Sequence, residues 1–205
     1  MSNLDNKIAL ITGASSGIGA ACARKFAEQG VRLILAARRT ERLEKLAAEL
    51  SVETHLIQLD VRDRKAVEKV IYGLPSEWEN IDILVNNAGL SRGLHKLHEG
   101  NIDSWEEMID TNVKGLLYVS RAVIPGMVAR GRGHIINIGS IAGHEVYPGG
   151  NVYCATKHAV DALSKGMRID LVDTPIRVST VDPGLVETEF SQVRFYGDKE
   201  RAKGV

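Results

Sequence analysis

Short runs rich in Ile, Val and Leu recur along the chain at Lys7–Thr12, Val31–Ala36, Thr54–Leu59, Ile81–Val85, His134–Ile138 and Arg177–Val181. They neither alternate with polar residues nor reach helical length, which is how strands buried on both faces read. Between them the apolar positions return at helical spacing. Glu41–Leu50 places Leu43, Leu46, Ala47 and Leu50 on one face, and Asp63–Leu74 does the same with Val67, Val70, Ile71 and Leu74 behind Asp63 as a cap. Ala20–Gln29 reads as a further helix. Ser104-Trp105-Glu106-Glu107 has the form of a capping box opening a long helix that runs past Asn112 and Val119, with Pro125 kinking it or ending a segment. Another helix follows Asn151. Strand and helix alternate six times, which predicts an α/β fold: a doubly wound parallel sheet in three layers. Ligands in such folds gather at the carboxyl ends of the strands. The glycine-rich stretches at 131–133 and 147–150 read as loops. Residues 191–205 are polar and close no visible element, so the sheet is expected to lack a last strand.

Composition narrows this picture. With 205 residues, 44% hydrophobic and 25% charged, residues 1–205 make one good core and read as a single domain. Lys plus Arg and Asp plus Glu both number 26, so no net positive field is available to hold nucleic acid. The only cysteines, Cys22 and Cys154, form no C-x-x-C pair, which points to free thiols in a reducing compartment rather than a structural zinc. No window approaches the length of a membrane span. The expectation is a cytoplasmic protein with no membrane or nucleic-acid partner.

Three stretches carry chemistry. The first strand runs into Thr12-Gly13-Ala14-Ser15-Ser16-Gly17-Ile18-Gly19 and then into a helix. The glycines permit a tight turn and close backbone approach, so a pyrophosphate fits on the amides at the helix's positive end. After the second strand, where a dinucleotide fold places an acid for a ribose hydroxyl, the chain has Arg38-Arg39. Two guanidiniums without an adjacent acid suit bidentate capture of a phosphate and favour NADP over NAD. Tyr153 and Lys157, four apart, share one helical face, so the ammonium lies beside the phenol and favours its ionised form. Such a pair arises by chance in roughly one chain of this composition in four, so context must support it.

The context resembles the short-chain dehydrogenase/reductase family over nearly the whole chain. The motifs occur in order: the glycine turn, Asp60-Val61, Asn86-Asn87-Ala88-Gly89, Asn112, Ser140, Tyr153-x-x-x-Lys157 and Pro183-Gly184. The resemblance narrows to NADP-dependent 3-hydroxy acid dehydrogenases, which act on serine, allo-threonine and related acids, through 81–89, 139–143 and Pro183-Gly-Leu-Val-Glu-Thr-Glu-Phe190. It implies a Rossmann fold and reversible hydride transfer between NADP(H) and an alcohol. Tyr153 would be the acid/base, Lys157 its partner, Ser140 the group that holds the substrate oxygen, and Asn112 the holder of a relay water or a buried amide satisfied by backbone. The cofactor would lie along Gly13, Ser15, Ser16, Gly17, Ile18, Gly19, Arg38, Arg39, Asp60, Val61, Asn86, Ala88, Gly89, Tyr153, Lys157, Pro183, Gly184, Val186 and Thr188.

Arg194, in the segment where the family closes over its substrate, is a candidate for a substrate carboxylate, and a surface arginine is the alternative. His95 and His98 lack a third metal ligand nearby, and Cys154 reads as a packing residue. Family members are usually dimers or tetramers, so a homodimer or homotetramer is implied. Two other readings stay open here: an NADPH-dependent reductase of ketones, sugars or acyl thioesters, and a non-catalytic NADP(H)-binding sensor or scaffold.

Overall fold

The structure, a computed structural model, describes residues 4–202. Its strands are β1 (Ile8–Thr12), β2 (Arg32–Ala37), β3 (Thr54–Gln58), β4 (Ile83–Asn86), β5 (His134–Ile138) and β6 (Arg177–Val181). Its helices are α1 (Gly17–Ala27), α2 (Thr40–Glu49), α3 (Arg64–Tyr72), α4 (Ile102–Ile109), α5 (Leu116–Arg130), α6 (Asn151–Asp170), α7 (Phe190–Arg194) and α8 (Lys199–Ala202). The sheet order is β3-β2-β1-β4-β5-β6, and every pairing is parallel. The chain winds outward from β1 to β3 and then returns to place β4 on the other side of β1. That reversal opens a crevice at the carboxyl ends of β1 and β4.

The continuous apolar runs serve two cores because successive strand side chains face opposite ways. In β1, Ile8 and Leu10 join Ile34, Leu84 and Ile135 on one face, packed with α3 and α5. Ala9 and Ile11 join Leu33, Leu35 and Val85 on the other, packed with α1 and α2. Leu10, Ile11, Leu33, Ile34 and Leu35 are fully buried, and each such side chain stabilises the fold by ~1.5–3 kcal/mol. These cores hold the strand ends, and hence the site, in fixed register.

Several boundaries differ from the sequence pattern for identifiable reasons. Helix α1 begins at Gly17 rather than Ala20, which puts two of the motif glycines in its first turn. Asp63 caps α3 as expected, accepting from the Ala66 amide at 3.0 Å. The capping box at Ser104 does not form. Asn101 is the cap, its Oδ1 accepting from Ser104 N at 2.9 Å and from Ser104 Oγ at 3.1 Å, so the helix starts earlier. The long helix is interrupted by a π-helical turn at Asp110–Gly115, not ended at Pro125, which sits inside α5. The segment after 190, expected to close no element, forms α7 and α8; residues 203–205 of that ending lie outside the described residues.

Candidate active site

The glycine turn forms because Gly13 and Gly17 take φ of 65° and 54°, where L residues are strained. Contact is also too close for side chains: a Cβ on Gly13 would lie 2.9 Å from Ala88 Cα, and one on Gly19 would lie 2.5 Å from Gly13 O. Thr12 stitches the ends of β1 and β4 together, its Oγ1 donating to Val85 O at 3.3 Å and accepting from the Asn87 and Ala88 amides at 3.1 Å. Helix α1 then starts with no side-chain cap and no acid in its first turn. Its amides and dipole therefore remain available to an anion at the crevice.

A cleft of about 620 Å³ runs along the carboxyl ends of the strands. It brings together Gly13, Ser15, Ser16, Gly17 and Ile18 of the turn, Arg38 and Arg39, Asp60 and Val61, and Ala88 and Gly89. At its other end it is lined by Ser140, Tyr153, Lys157, Pro183, Gly184, Val186, Thr188 and Arg194. Three expected site residues stand behind this wall. Gly19 packs against Asn87 and the turn, so it permits close packing of α1 rather than contact with a ligand. Asn86 faces the interior, where its Nδ2 donates to Ser120 Oγ and Asn137 Oδ1, both at 2.9 Å; Asn87 lines the cleft instead. Asn112, in the π-helical turn, is almost fully buried. Its amide exchanges bonds with Leu90 N and O at 2.8 Å each and donates to Thr156 Oγ1 at 3.0 Å. It therefore ties the end of β4 to α6 one residue before Lys157.

The arginine pair is not free of an acid. Glu189, distant in sequence, reaches Arg39 at 3.2 Å and Arg42 at 2.6 Å. The sequence expectation that no acid stands here is corrected by this contact, and Arg42 joins the cluster. Burial alone would raise the Asp60 carboxyl, but hydrogen bonds and charge from Arg62 outweigh it and hold the pKa below the usual range. Asp60 is thus an ionised group at the cleft edge.

Tyr153 is buried, with Phe190 at 5.6 Å between ring centroids and the Arg194 guanidinium carbon 5.5 Å from its own ring centroid. Burial pushes its phenol up to about 12, partly offset by a hydrogen bond from Ser140 and by the charge of Arg194. Lys157, also buried, is pushed down to about 8 by desolvation, offset in part by Asp182. Its Nζ donates to Ile138 O at 2.8 Å and stands 5.9 Å from the Tyr153 ring centroid. In the protein by itself burial is the largest effect on the phenol, and the groups that pull it back are Ser140 and Arg194; the sequence reading relies on Lys157 together with the positive charge of a bound nicotinamide.

Arg194 is buried to 7% exposure. Among the described residues its side chain is held by neutral hydroxyls, Nε donating to Ser91 Oγ at 3.1 Å and Nη2 to Tyr147 Oη at 3.0 Å, and by no carboxylate. Sequence reasoning missed Ser91, Tyr147, Arg42, Glu189 and Asp182. Asn87 and Phe190 also went unassigned; of all these, Asn87, Glu189 and Phe190 lay inside quoted motifs that could have indicated them.

These shifts set a pH dependence. Lys157 loses its proton near pH 8 in the folded chain against an ordinary 10.5, so between those values the unfolded chain binds more protons and stability rises with pH. Tyr153 acts oppositely: its phenol ionises near 12 when folded and 10 otherwise, so stability falls above pH 10. Urea unfolding at pH 8 and 9.5 should show a gain on the order of 2 kcal/mol. Lys157→Met should lack that gain, and equal slopes in the two proteins would exclude Lys157 as its source.

A crevice with anion-binding amides at one end and a buried proton donor at the other defines an oxidoreductase that uses a dinucleotide. The chain belongs to the short-chain dehydrogenase family, whose model matches residues 7–198. It is 53% identical over 197 residues to the NADP-dependent 3-hydroxy acid dehydrogenase YdfG of Escherichia coli K12, covering 96% of this chain and 79% of that one. The NADP-dependent 3-hydroxy acid dehydrogenase of Schizosaccharomyces pombe is 50% identical over 210 residues, covering 100% and 81%. The closed form of serine dehydrogenase complexed with NADP+ aligns with a TM-score of 0.94 at 53% identity, covering 96% of this chain and 80% of that one.

Proposed function

We propose that the chain is an NADP-dependent dehydrogenase of small 3-hydroxy acids such as serine or allo-threonine. The observation that carries this is Arg194, a buried guanidinium without a carboxylate partner among the described residues, beside the Tyr153 ring. A buried charge is costly unless paired, and a substrate carboxylate supplies the pair. Arg194 and Tyr153 line the same end of the cleft, so one small molecule can present a carboxylate to the first and a hydroxyl to the second. A ketone, a sugar or an acyl thioester leaves that charge unpaired.

The cleft fits NADP. The glycine turn, closely approachable at Gly13 and Gly17, and the bare start of α1 suit the pyrophosphate, and Arg38 and Arg39 offer guanidinium forks for a 2′-phosphate. When bound, the cofactor supplies or takes the hydride. The residues manage one proton and the substrate's orientation. In reduction Tyr153, protonated at neutral pH, donates its proton to the carbonyl oxygen and is left as a phenolate; oxidation is the reverse step, in which the phenolate takes the alcohol's proton. Ser140 hydrogen-bonds the same oxygen and Arg194 fixes the carboxylate, so the reacting carbon is held in one place. Lys157, anchored on Ile138 O, and Asn112, anchored on Leu90 and Thr156, keep α6 in register with the strand ends.

A cytoplasmic homodimer or homotetramer is part of this proposal. The exposed Ile102, Ile109 and Leu117 on α4 and α5 support a self-association face, and the free thiols of Cys22 and Cys154 support a reducing compartment.

The substrate class is tested by NADP+ reduction with allo-threonine against 1-amino-2-propanol, which lacks only the carboxylate. The acid should have a kcat/KM higher by ~10²-fold or more, as expected for pairing a buried charge. Similar values for the two would remove the hydroxy acid from the reading and leave a general alcohol dehydrogenase.

A further inference from the structure

The carboxylate of Glu189 occupies the guanidinium donors at the Arg39 end of the cleft. Its Oε2 accepts from Arg39 Nη1 at 3.2 Å and Nη2 at 3.3 Å, and Arg42 Nη1 donates to its Oε1 at 2.6 Å and Oε2 at 2.7 Å. Arg39 Nη2 also reaches Ser15 Oγ at 3.3 Å and Ser16 Oγ at 3.0 Å, on the glycine turn. One carboxylate therefore uses both terminal nitrogens of Arg39 and one of Arg42. The Glu189 carboxyl is held below the usual range by its hydrogen bond from Arg42 and, further, by Arg39, so it is ionised whenever a cofactor arrives at neutral pH.

The cluster is built to be exchanged rather than to hold the fold. Arg39, Arg42 and Glu189 keep 40%, 39% and 39% of their side-chain surface exposed, and ion pairs so open to water contribute at most ~1 kcal/mol. A phosphate brings up to two negative charges and three strong acceptor oxygens to the same forks. Two anions cannot share these nitrogens without repelling each other. Glu189 also sits between Thr188, whose methyl carbon would lie 3.4 Å from a Cβ on Gly17, and Phe190, which packs on Tyr153. Whatever takes Arg39 from Glu189 therefore acts on the segment that lines the reaction end.

We propose that Glu189 is a displaceable stand-in for the cofactor's 2′-phosphate, competing with it for Arg39 and for Arg42, which is a further ligand of that phosphate. This rests on the assignment of Arg39 to the 2′-phosphate. Glu189 thereby restrains NADPH affinity without touching the nicotinamide. A cofactor carrying a 2′-hydroxyl leaves the carboxylate on its arginines and does not experience the competition.

Calorimetric titration of the full chain with adenosine 2′,5′-bisphosphate and with adenosine 5′-monophosphate separates this from any effect at the nicotinamide, since both probes lack it. Glu189→Gln should tighten the bisphosphate roughly five- to tenfold, the scale of one exposed ion pair, and leave the monophosphate within about twofold. Arg42→Ala should weaken the bisphosphate alone. Bisphosphate affinity that is unchanged or weaker in Glu189→Gln overturns the proposal, because Glu189 would then be orienting the arginines for the phosphate. Unchanged bisphosphate affinity in Arg42→Ala removes Arg42 from the site. Arg39→Ala decides the underlying assignment: a loss confined to the bisphosphate sustains it, and equal losses on both probes overturn it. Thermal unfolding of each variant confirms that the titrated protein is folded.

Discussion

Tyr153→Phe is expected to bind NADPH as the wild type does and to lose ~10²–10⁴-fold in kcat, the range that a positioned proton donor contributes. The substitution removes one oxygen and keeps the ring that packs against Phe190 at 5.6 Å. The cleft wall is therefore preserved while the proton is lost. Burial makes this group hard to replace by solvent, because the phenol is pushed up to about 12 in a pocket that screens it from water. Fluorescence titration with NADPH checks the first half of the expectation and steady-state turnover of a hydroxy acid the second. A variant that keeps more than a tenth of the wild-type kcat would show that another group moves the proton. A non-catalytic cofactor sensor predicts something different again: the wild type would have no turnover to lose, and Tyr153→Phe and wild type would be indistinguishable in both measurements.

The sheet was legible because the signal for a strand buried on both faces is local. A short run of consecutive apolar residues such as 8–11 leaves no other economical placement, and the parallel, doubly wound arrangement followed from alternation with helices, while the order of the strands came only with the structure. The glycine turn and the Tyr153–Lys157 pair were legible for the same reason, since each is a short motif on one element. What failed depended on contacts between distant segments or between competing local signals. Asn101 and Ser104 are both good caps, and nothing in the sequence favours the one whose side chain reaches Ser104 N. Asn86 and Asn87 are adjacent, and only the β-strand alternation decides which of them faces the cleft. Glu189 lies 150 residues beyond Arg39, so its presence beside the phosphate forks could not be read from the arginines' neighbours. The raised pKa of Tyr153 was not legible because helical spacing reports proximity along one face and says nothing of burial, and here burial is the largest effect.

Arg194→Met is expected to raise KM for a hydroxy acid by ~10²-fold, the cost of removing one partner from a buried charge pair, with a smaller change in kcat. The reason lies in what surrounds the guanidinium. Ser91 and Tyr147 orient it with hydroxyls that carry no charge, and the rings of Phe190 and Tyr153 lie 5.3 and 5.5 Å from its central carbon. Such surroundings hold the cation in place without neutralising it, which favours an anion arriving from the cleft. Two further readouts distinguish binding from a structural role. If Arg194 is there for the substrate, its buried charge is a burden on the free protein, and methionine, of similar length, should leave the midpoint of urea unfolding unchanged or higher. Were Arg194 a structural residue, the same variant would unfold at lower urea. Arg194→Lys should recover only part of the affinity, because an ammonium keeps the charge but lacks the planar fork that pairs with a carboxylate. Activity on 1-amino-2-propanol supplies the internal control: it should be unchanged or improved in Arg194→Met, since that alcohol has no carboxylate to lose. A uniform fall on both substrates, or an unchanged KM for the acid, would detach Arg194 from recognition of the carboxylate.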